Sequence, residues 1–227
     1  MLSDFISLIF PTLCAACGKG LNKAEEHICT SCLFSLPQTN YHLHEDNPVA
    51  RLFWGRAKVE RACAYYHFVK EGKVQELIHQ FKYKGQKEVG QTVGKHFAHE
   101  LNAANWLNHI DVIIPVPLHA EKYKKRGYNQ SDYFAKGISE VAQKPVSLES
   151  LIRTSVSETQ TRKSRYSRWK NVETIFNVPE PEAIRGKHIL LVDDVVTTGS
   201  TLEACVQKLL GVSETRVSIA TMAYASL

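Results

Sequence analysis

The chain has 227 residues, is 44% hydrophobic and carries 28 Lys and Arg against 23 Asp and Glu, a formal net charge of +5. That is enough apolar material for a packed core and too little charge for composition alone to impose a polyanionic partner. No run of about 20 apolar residues occurs, which argues against membrane insertion. The opening MLSDFISLIFPTLCAACG has the length of an export signal, but Asp4 and the lack of Lys or Arg before the apolar run give it the wrong n-region, so a cytoplasmic protein is expected. A lipoprotein signal would modify Cys17, yet the position three before it is Cys14 where Leu is usual.

The first element is a pair of knuckles, C-A-A-C at Cys14 and Cys17 and C-T-S-C at Cys29 and Cys32, with eleven residues between them. Four thiolates close a tetrahedral shell with no vacant position, the arrangement of a structural zinc. Two disulfides suit an oxidising compartment, and a redox pair would need only one knuckle. His27 lies between the knuckles and is expected to be a satisfied or exposed histidine. The module and its polar connector QTNYHLHEDNP fill residues 1–55, and a second domain takes residues 56–227.

In that domain the patterning predicts a strand (59–68), helices (73–82 and 87–103), a strand (110–115), a helix (129–142), a short strand (145–148), an irregular basic segment (154–172), a strand (187–192), a helix (200–211) and a strand (215–223). Strands and helices mostly alternate, which implies a largely parallel sheet with helices on both faces. Cys63 and Cys205 fall on apolar positions and are expected in the core.

Open parallel sheets bind ligands beyond the carboxyl ends of their strands. One strand exits through IIPVPLH, stiffened by Pro115 and Pro117 and followed by Lys122, Lys124, Lys125 and Arg126, a cluster suited to an anion. His119 is a lone loop histidine, expected at the surface. Asn129 and Asp132 have helix-cap spacing, and capping and ligand contact stay open for Asn129 and Gln130. The other exit is the end of HILLVDDVVTTGSTLEACVQKLL. Here Thr197, Thr198, Gly199, Ser200 and Thr201 offer backbone N–H groups and hydroxyls at a helix N-terminus, where a phosphate is favoured. Asp193 and Asp194 would repel that phosphate, and make sense facing sugar hydroxyls or a magnesium ion on the same ligand. A receiver domain fails because only 33 residues follow Asp194, and an ATPase fails because no P-loop Gly-Lys is followed by Ser or Thr.

The stretch VDDVVTTGST resembles the ribose-phosphate signature of type I phosphoribosyltransferases, whose ligand is 5-phosphoribosyl-1-pyrophosphate (PRPP) held with magnesium. The wider pattern is the four-cysteine module, IIPVPLH, RGYNQ, TQTRKSRYSRWKN and VDDVVTTGST. It resembles the ComF family of amidophosphoribosyltransferase-like proteins, linked in bacteria to competence and DNA uptake. The resemblance implies that Asp193 and Asp194 contact the ribose and that Asp193 to Thr201, with Val195 and Val196 between, form the PRPP loop. It also implies that the loop after Ile114, with Val116, Pro117 and Leu118, meets the pyrophosphate.

The basic segment carries Arg162, Lys163, Arg165, Arg168 and Lys170 with Tyr166 and Trp169 interleaved. It reads as a hood over PRPP, as a single-stranded nucleic acid surface, or as a solvated face. As a phosphoribosyl-transferring enzyme, the chain would orient the sugar with Asp193 and Asp194. Arg126, Arg162, Arg165 and Arg168 would then neutralise the departing pyrophosphate. The alternative is a non-catalytic competence protein that binds single-stranded DNA or a helicase-like partner and uses PRPP or a nucleotide as a regulatory ligand.

Overall fold

The computed structural model describes residues 11–154 and 175–226. Four parallel strands form the central sheet in the order β1-β6-β5-β2: β1 (Ala62–His67), β2 (Val112–Pro115), β5 (His188–Val196) and β6 (Arg216–Tyr224). Ala62 pairs with Ile219, Val112 with Ile189, and His188 with Arg216. Alternation along β5 splits its side chains between two cores. Leu190 and Val192 join Phe81, Phe97, Phe134 and Ile138 on one face, while Ile189 and Leu191 join Leu202, Cys205, Val206 and Leu209 on the other. Cys63 and Cys205 are free and fully buried, as their apolar positions imply.

The first face is covered by α3 (Lys73–Tyr83), α4 (Glu88–Ala103) and α6 (Gln130–Ala142), the second by α7 (Ser200–Leu210) and by connector residues Val49 and Phe53. Helices α4 and α6 touch backbone to backbone through two glycines. A Cβ on Gly137 would lie 2.1 Å from the Gln91 carbonyl oxygen, and one on Gly94 would lie 2.4 Å from that of Phe134. Intrinsic propensity favours alanine in a helix by about 1 kcal/mol, whereas overpacking typically costs 1–3 kcal/mol and sometimes more. Because the obstacle is backbone, packing wins: Gly137→Ala is expected to lower stability by about 2–3 kcal/mol in urea denaturation. An unchanged or raised midpoint would show that the helices can separate freely.

Four differences from the sequence reading bear on the site. Strand β5 does not stop at Val192 but continues to Val196, with Asp193 opposite Thr221 and Val195 opposite Ala223. The acids therefore sit within the sheet rather than in the turn. The lysine cluster is a helix, α5 (Ala120–Arg126), and not an open loop. His119 caps it by accepting from the Glu121 N–H at 3.3 Å, and Gly127, at φ 80°, ends it. The short strand expected at 145–148 is one parallel bridge, Ile113 with Val146, because Pro145 has no N–H to extend the ladder. The ladder of β3 (Ile152–Arg153) with β4 (Phe176–Asn177), absent from the reading, is antiparallel.

The cysteine module precedes β1 with two short helices, α1 (Thr30–Ser35) and α2 (Pro48–Arg51). Cys14, Ile28, Cys29, Cys32 and Leu36 belong to the same buried cluster as Tyr65, Tyr66 and Phe97. Asn47 fastens the connector to the sheet: its Oδ1 accepts from Val49 and Ala50, and its Nδ2 donates to the β1 carbonyl of Ala62 at 2.9 Å. No helix among the described residues is long and apolar enough to cross a membrane.

Candidate ligand site at the strand carboxyl ends

The loop after β5 forms a small cradle. Gly199 takes the left-handed conformation, φ 76°, as N-cap of α7. Among the described residues, the N–H groups of Thr198, Gly199 and Thr201 have no protein acceptor, and the Thr198 and Ser200 hydroxyls lie 3.0 Å apart. The cavity they bound has a volume of about 60 Å³, and its wall runs from Asp193 through Val195, Val196 and Thr197 to Leu202. Free N–H groups at a helix N-terminus form an anion cradle.

The connector braces this cradle from behind. The Arg56 guanidinium donates to the Thr198 carbonyl at 3.1 Å and pairs with Glu203. The Phe53 ring lies 3.3 Å from where a Gly199 Cβ would stand. Neither Phe53 nor Arg56 shows in the sequence as a loop partner, since the contacts join positions about 140 residues apart.

The acid pair is unequal. Asp193 Oδ1 accepts from Ser131 Oγ at 2.8 Å and from the Asp194 N–H at 2.9 Å. Burial and the Asp194 charge nevertheless push its carboxyl up to about 7, against the pull of those donors and of Lys82. Asp194 Oδ2 is paired with Lys82 Nζ at 2.8 Å, and both side chains are largely enclosed, at 19% and 14% exposure. Lys82 comes from the last turn of α3, an element in which the sequence shows nothing that points to the acids.

Beside the pair opens a second cavity of about 150 Å³. Its wall includes Val116, Pro117 and Leu118, together with four cations: Lys82, Lys122, Arg126 and Arg153. Arg126 donates to Gln130 Oε1 at 2.7 Å and lies over the Tyr83 ring at 5.1 Å. Held that way, Gln130 keeps its Nε2 buried at the cavity wall, with no hydrogen-bond partner among the described residues. Asn129 occupies the N-cap position of α6, but its side chain makes no capping hydrogen bond. Its amide donates to the Val116 carbonyl at 3.1 Å and to Asp132 at 2.6 Å, fixing the exit of β2. Asp193, Asp194, Arg126 and the 116–118 and 197–201 stretches thus converge. Arg162, Arg165 and Arg168 lie outside the described residues.

The acids as they stand do not fit a free magnesium ion, which demands hard anionic oxygens in near-octahedral array. One is neutralised by a lysine, and the other is held by a hydroxyl and an amide. A magnesium ion would reach this site on a ligand's own phosphate oxygens.

The four-cysteine cluster is separate. The Sγ atoms of Cys14, Cys17, Cys29 and Cys32 all lie within 4.8 Å of one another, and those of Cys17 and Cys29 are 3.8 Å apart. A tetrahedral site with metal–sulfur bonds of about 2.3 Å has sulfur–sulfur edges of about 3.8 Å. The Cys29 N–H points at Cys14 Sγ at 3.2 Å, and His27 stands outside the cluster at φ 59°.

Residues 131–226 match the phosphoribosyl transferase domain family. The chain is 29% identical to the DNA utilization protein YhgH of Shigella flexneri over 201 residues, covering 87% of this chain and 84% of that protein. It is 28% identical to competence protein ComFC of Bacillus subtilis over 198 residues, covering 87% of this chain and 78% of that one. Among solved structures it is similar to the glutamine PRPP amidotransferase from B. subtilis complexed with ADP and GMP. There the TM-score is 0.46 and the identity 21%, over 63% of this chain and 30% of that chain. Sheet, loop and family match define a type I phosphoribosyltransferase domain. The similarity to YhgH, ComFC and competence protein F, together with this domain, supports a ComF-family protein with its four-cysteine cluster ahead of the domain.

Proposed function

We propose that the protein binds PRPP and transfers its phosphoribosyl group, in a process tied to DNA uptake, with residues 1–55 as a zinc module and 56–227 as the transferase-like domain. One observation carries the reading. The neutral N–H cradle and the cation-lined cavity share Asp193 and Thr201 as a common wall. That spacing suits a ligand with a phosphate at one end, a diphosphate at the other and a sugar between.

In this reading the 5-phosphate accepts from Thr198, Gly199 and Thr201, and the ribose hydroxyls donate to Asp193 and Asp194. As the diphosphate leaves the anomeric carbon, charge develops on its oxygens, and Lys122, Arg126 and Arg153 neutralise it. Arg162, Arg165 and Arg168 are proposed to add charge from the basic segment. Magnesium is proposed to arrive with PRPP and to supply further neutralisation of the leaving group. Zinc is proposed at the four cysteines. The link to DNA uptake rests on the names of the relatives.

Calorimetric titration of PRPP into the full chain tests the proposal. Saturable binding that ribose 5-phosphate and pyrophosphate each compete is the expected result, and no heat at millimolar ligand sinks it. Binding with pyrophosphate release on addition of a base makes the protein an enzyme; binding without release from any acceptor assigns PRPP a regulatory role.

A further inference from the structure

The Lys82–Asp194 pair is unexplained by the motif that identifies the loop. Lys82 belongs to α3 and Asp194 to β5, so the contact is a product of the tertiary fold and not of the loop's local structure. An enclosed cation beside two carboxylates occupies the place where a free divalent ion would be expected. An ammonium also has three N–H donors, of which Asp194 takes one. Among the described residues the others have no acceptor, and they can meet anionic oxygens in the cavity that Lys82 lines together with Lys122, Arg126 and Arg153. Four side-chain cations against two acids leave that cavity cationic, whereas the cradle next to it has Asp193 as its one charged group.

We infer that Lys82 is the resident counter-ion of the acid pair and the first contact of the ligand's diphosphate, so that ligand binding does not depend on magnesium. The inference rests on the PRPP reading above and deepens it. Lys82 holds Asp194 oriented toward the sugar and keeps that carboxylate from recruiting a hydrated ion. When the ligand enters, its diphosphate finds fixed positive charge already present. Because both members of the pair are largely enclosed, the interaction is screened less than a surface pair would be.

The test is calorimetric titration of PRPP into the full chain in buffer with magnesium and in buffer freed of it by resin, because a soluble chelator would attack the cysteine cluster. For the wild type the two dissociation constants are expected to agree within about tenfold. Lys82→Met is expected to lose roughly 10- to 100-fold in the magnesium-free buffer, the range for a hydrogen bond to a charged group, and to recover much of that with magnesium. Lys82→Arg is expected to keep metal-free binding. Wild-type binding that requires magnesium overturns the inference and leaves the PRPP reading standing. Metal-free binding by Lys82→Met as tight as wild type also overturns it, and absence of wild-type binding in both buffers overturns both readings. Thermal unfolding of each variant confirms that the folded chain is being titrated, and Lys82→Arg keeps the test decisive if the methionine variant unfolds.

Discussion

Asp193→Asn is expected to weaken PRPP binding by at least about 100-fold while leaving the protein at neutral pH as stable as the wild type or more so. The carboxyl of Asp193 is pushed up to about 7 by burial and by the neighbouring acid. Between about pH 4 and 7 the native state therefore holds a proton that the unfolded chain has released. The sign follows from linkage: a raised acid contributes most to stability below its unfolded value, and that contribution is lost as pH rises toward 7. An amide of the same shape removes the charged form and with it the cost of burying that charge at pH 7–8. It still accepts from Ser131 but offers the sugar one neutral oxygen in place of a carboxylate. Asp194→Asn should behave differently, losing binding and some stability together, because it leaves Lys82 enclosed without its partner. Paired chemical denaturation and PRPP titration at pH 5 and pH 8 check both variants. If Asp193→Asn were destabilised equally at both pH values, the acid would be a structural anchor and the argument from its buried charge would fail.

Zinc removal has the second large effect. The proposed site closes a module too small to hold a core of its own, and structural zinc contributes about 10–16 kcal/mol of apparent binding energy in small finger peptides. Here the knuckles share one buried cluster with Tyr65, Tyr66 and Phe97. Burial and the neighbouring thiols push Cys32 up and burial pushes Cys29 up, whereas Cys14, despite its burial, is held down to about 7 by the backbone N–H groups of Cys29, Ala16 and Cys17. Loss of the ion is therefore expected to lower the unfolding midpoint of the whole chain in a single transition, and not to release the first 55 residues alone. The measurements are one zinc per chain by elemental analysis and calorimetry before and after chelation. Cys14→Ser should reproduce the chelated state. Chelation without a shift in midpoint, or absence of zinc from protein purified without chelator, would refute the assignment.

What the sequence made legible follows from what each signal reports. The knuckles, the strand Ile189 to Val192 and the TTGST loop are local patterns, and each appears where its spacing implies. Helix α5 escaped detection because a periodic search looks for an apolar stripe, and none of its residues is buried. The extension of β5 escaped because Asp193 and Asp194 interrupt its apolar run, although backbone bonding to β6 is indifferent to side-chain polarity and continues to Val196. The partners of the acids, Ser131 and Lys82, escaped for a different reason: each lies on another element, and a contact between distant positions leaves no periodic trace in one chain. Arg153 and Arg56 are the same kind of omission. Asn129 is intermediate, since its spacing to Asp132 was visible but its grip on Val116 was not.

The strand order also constrains how the chain is made. Strand β1 is the first to leave the ribosome and has one partner in the sheet, β6, the last to be synthesised. Its apolar stretch Ala62 to Tyr66 therefore lacks its sheet partner until nearly the whole polypeptide has emerged, and until then only the connector, through Gln38, Thr39 and Asn47, can bond its backbone. Truncation that removes β6 is expected to leave β1 as an aggregation-prone edge rather than a smaller folded unit.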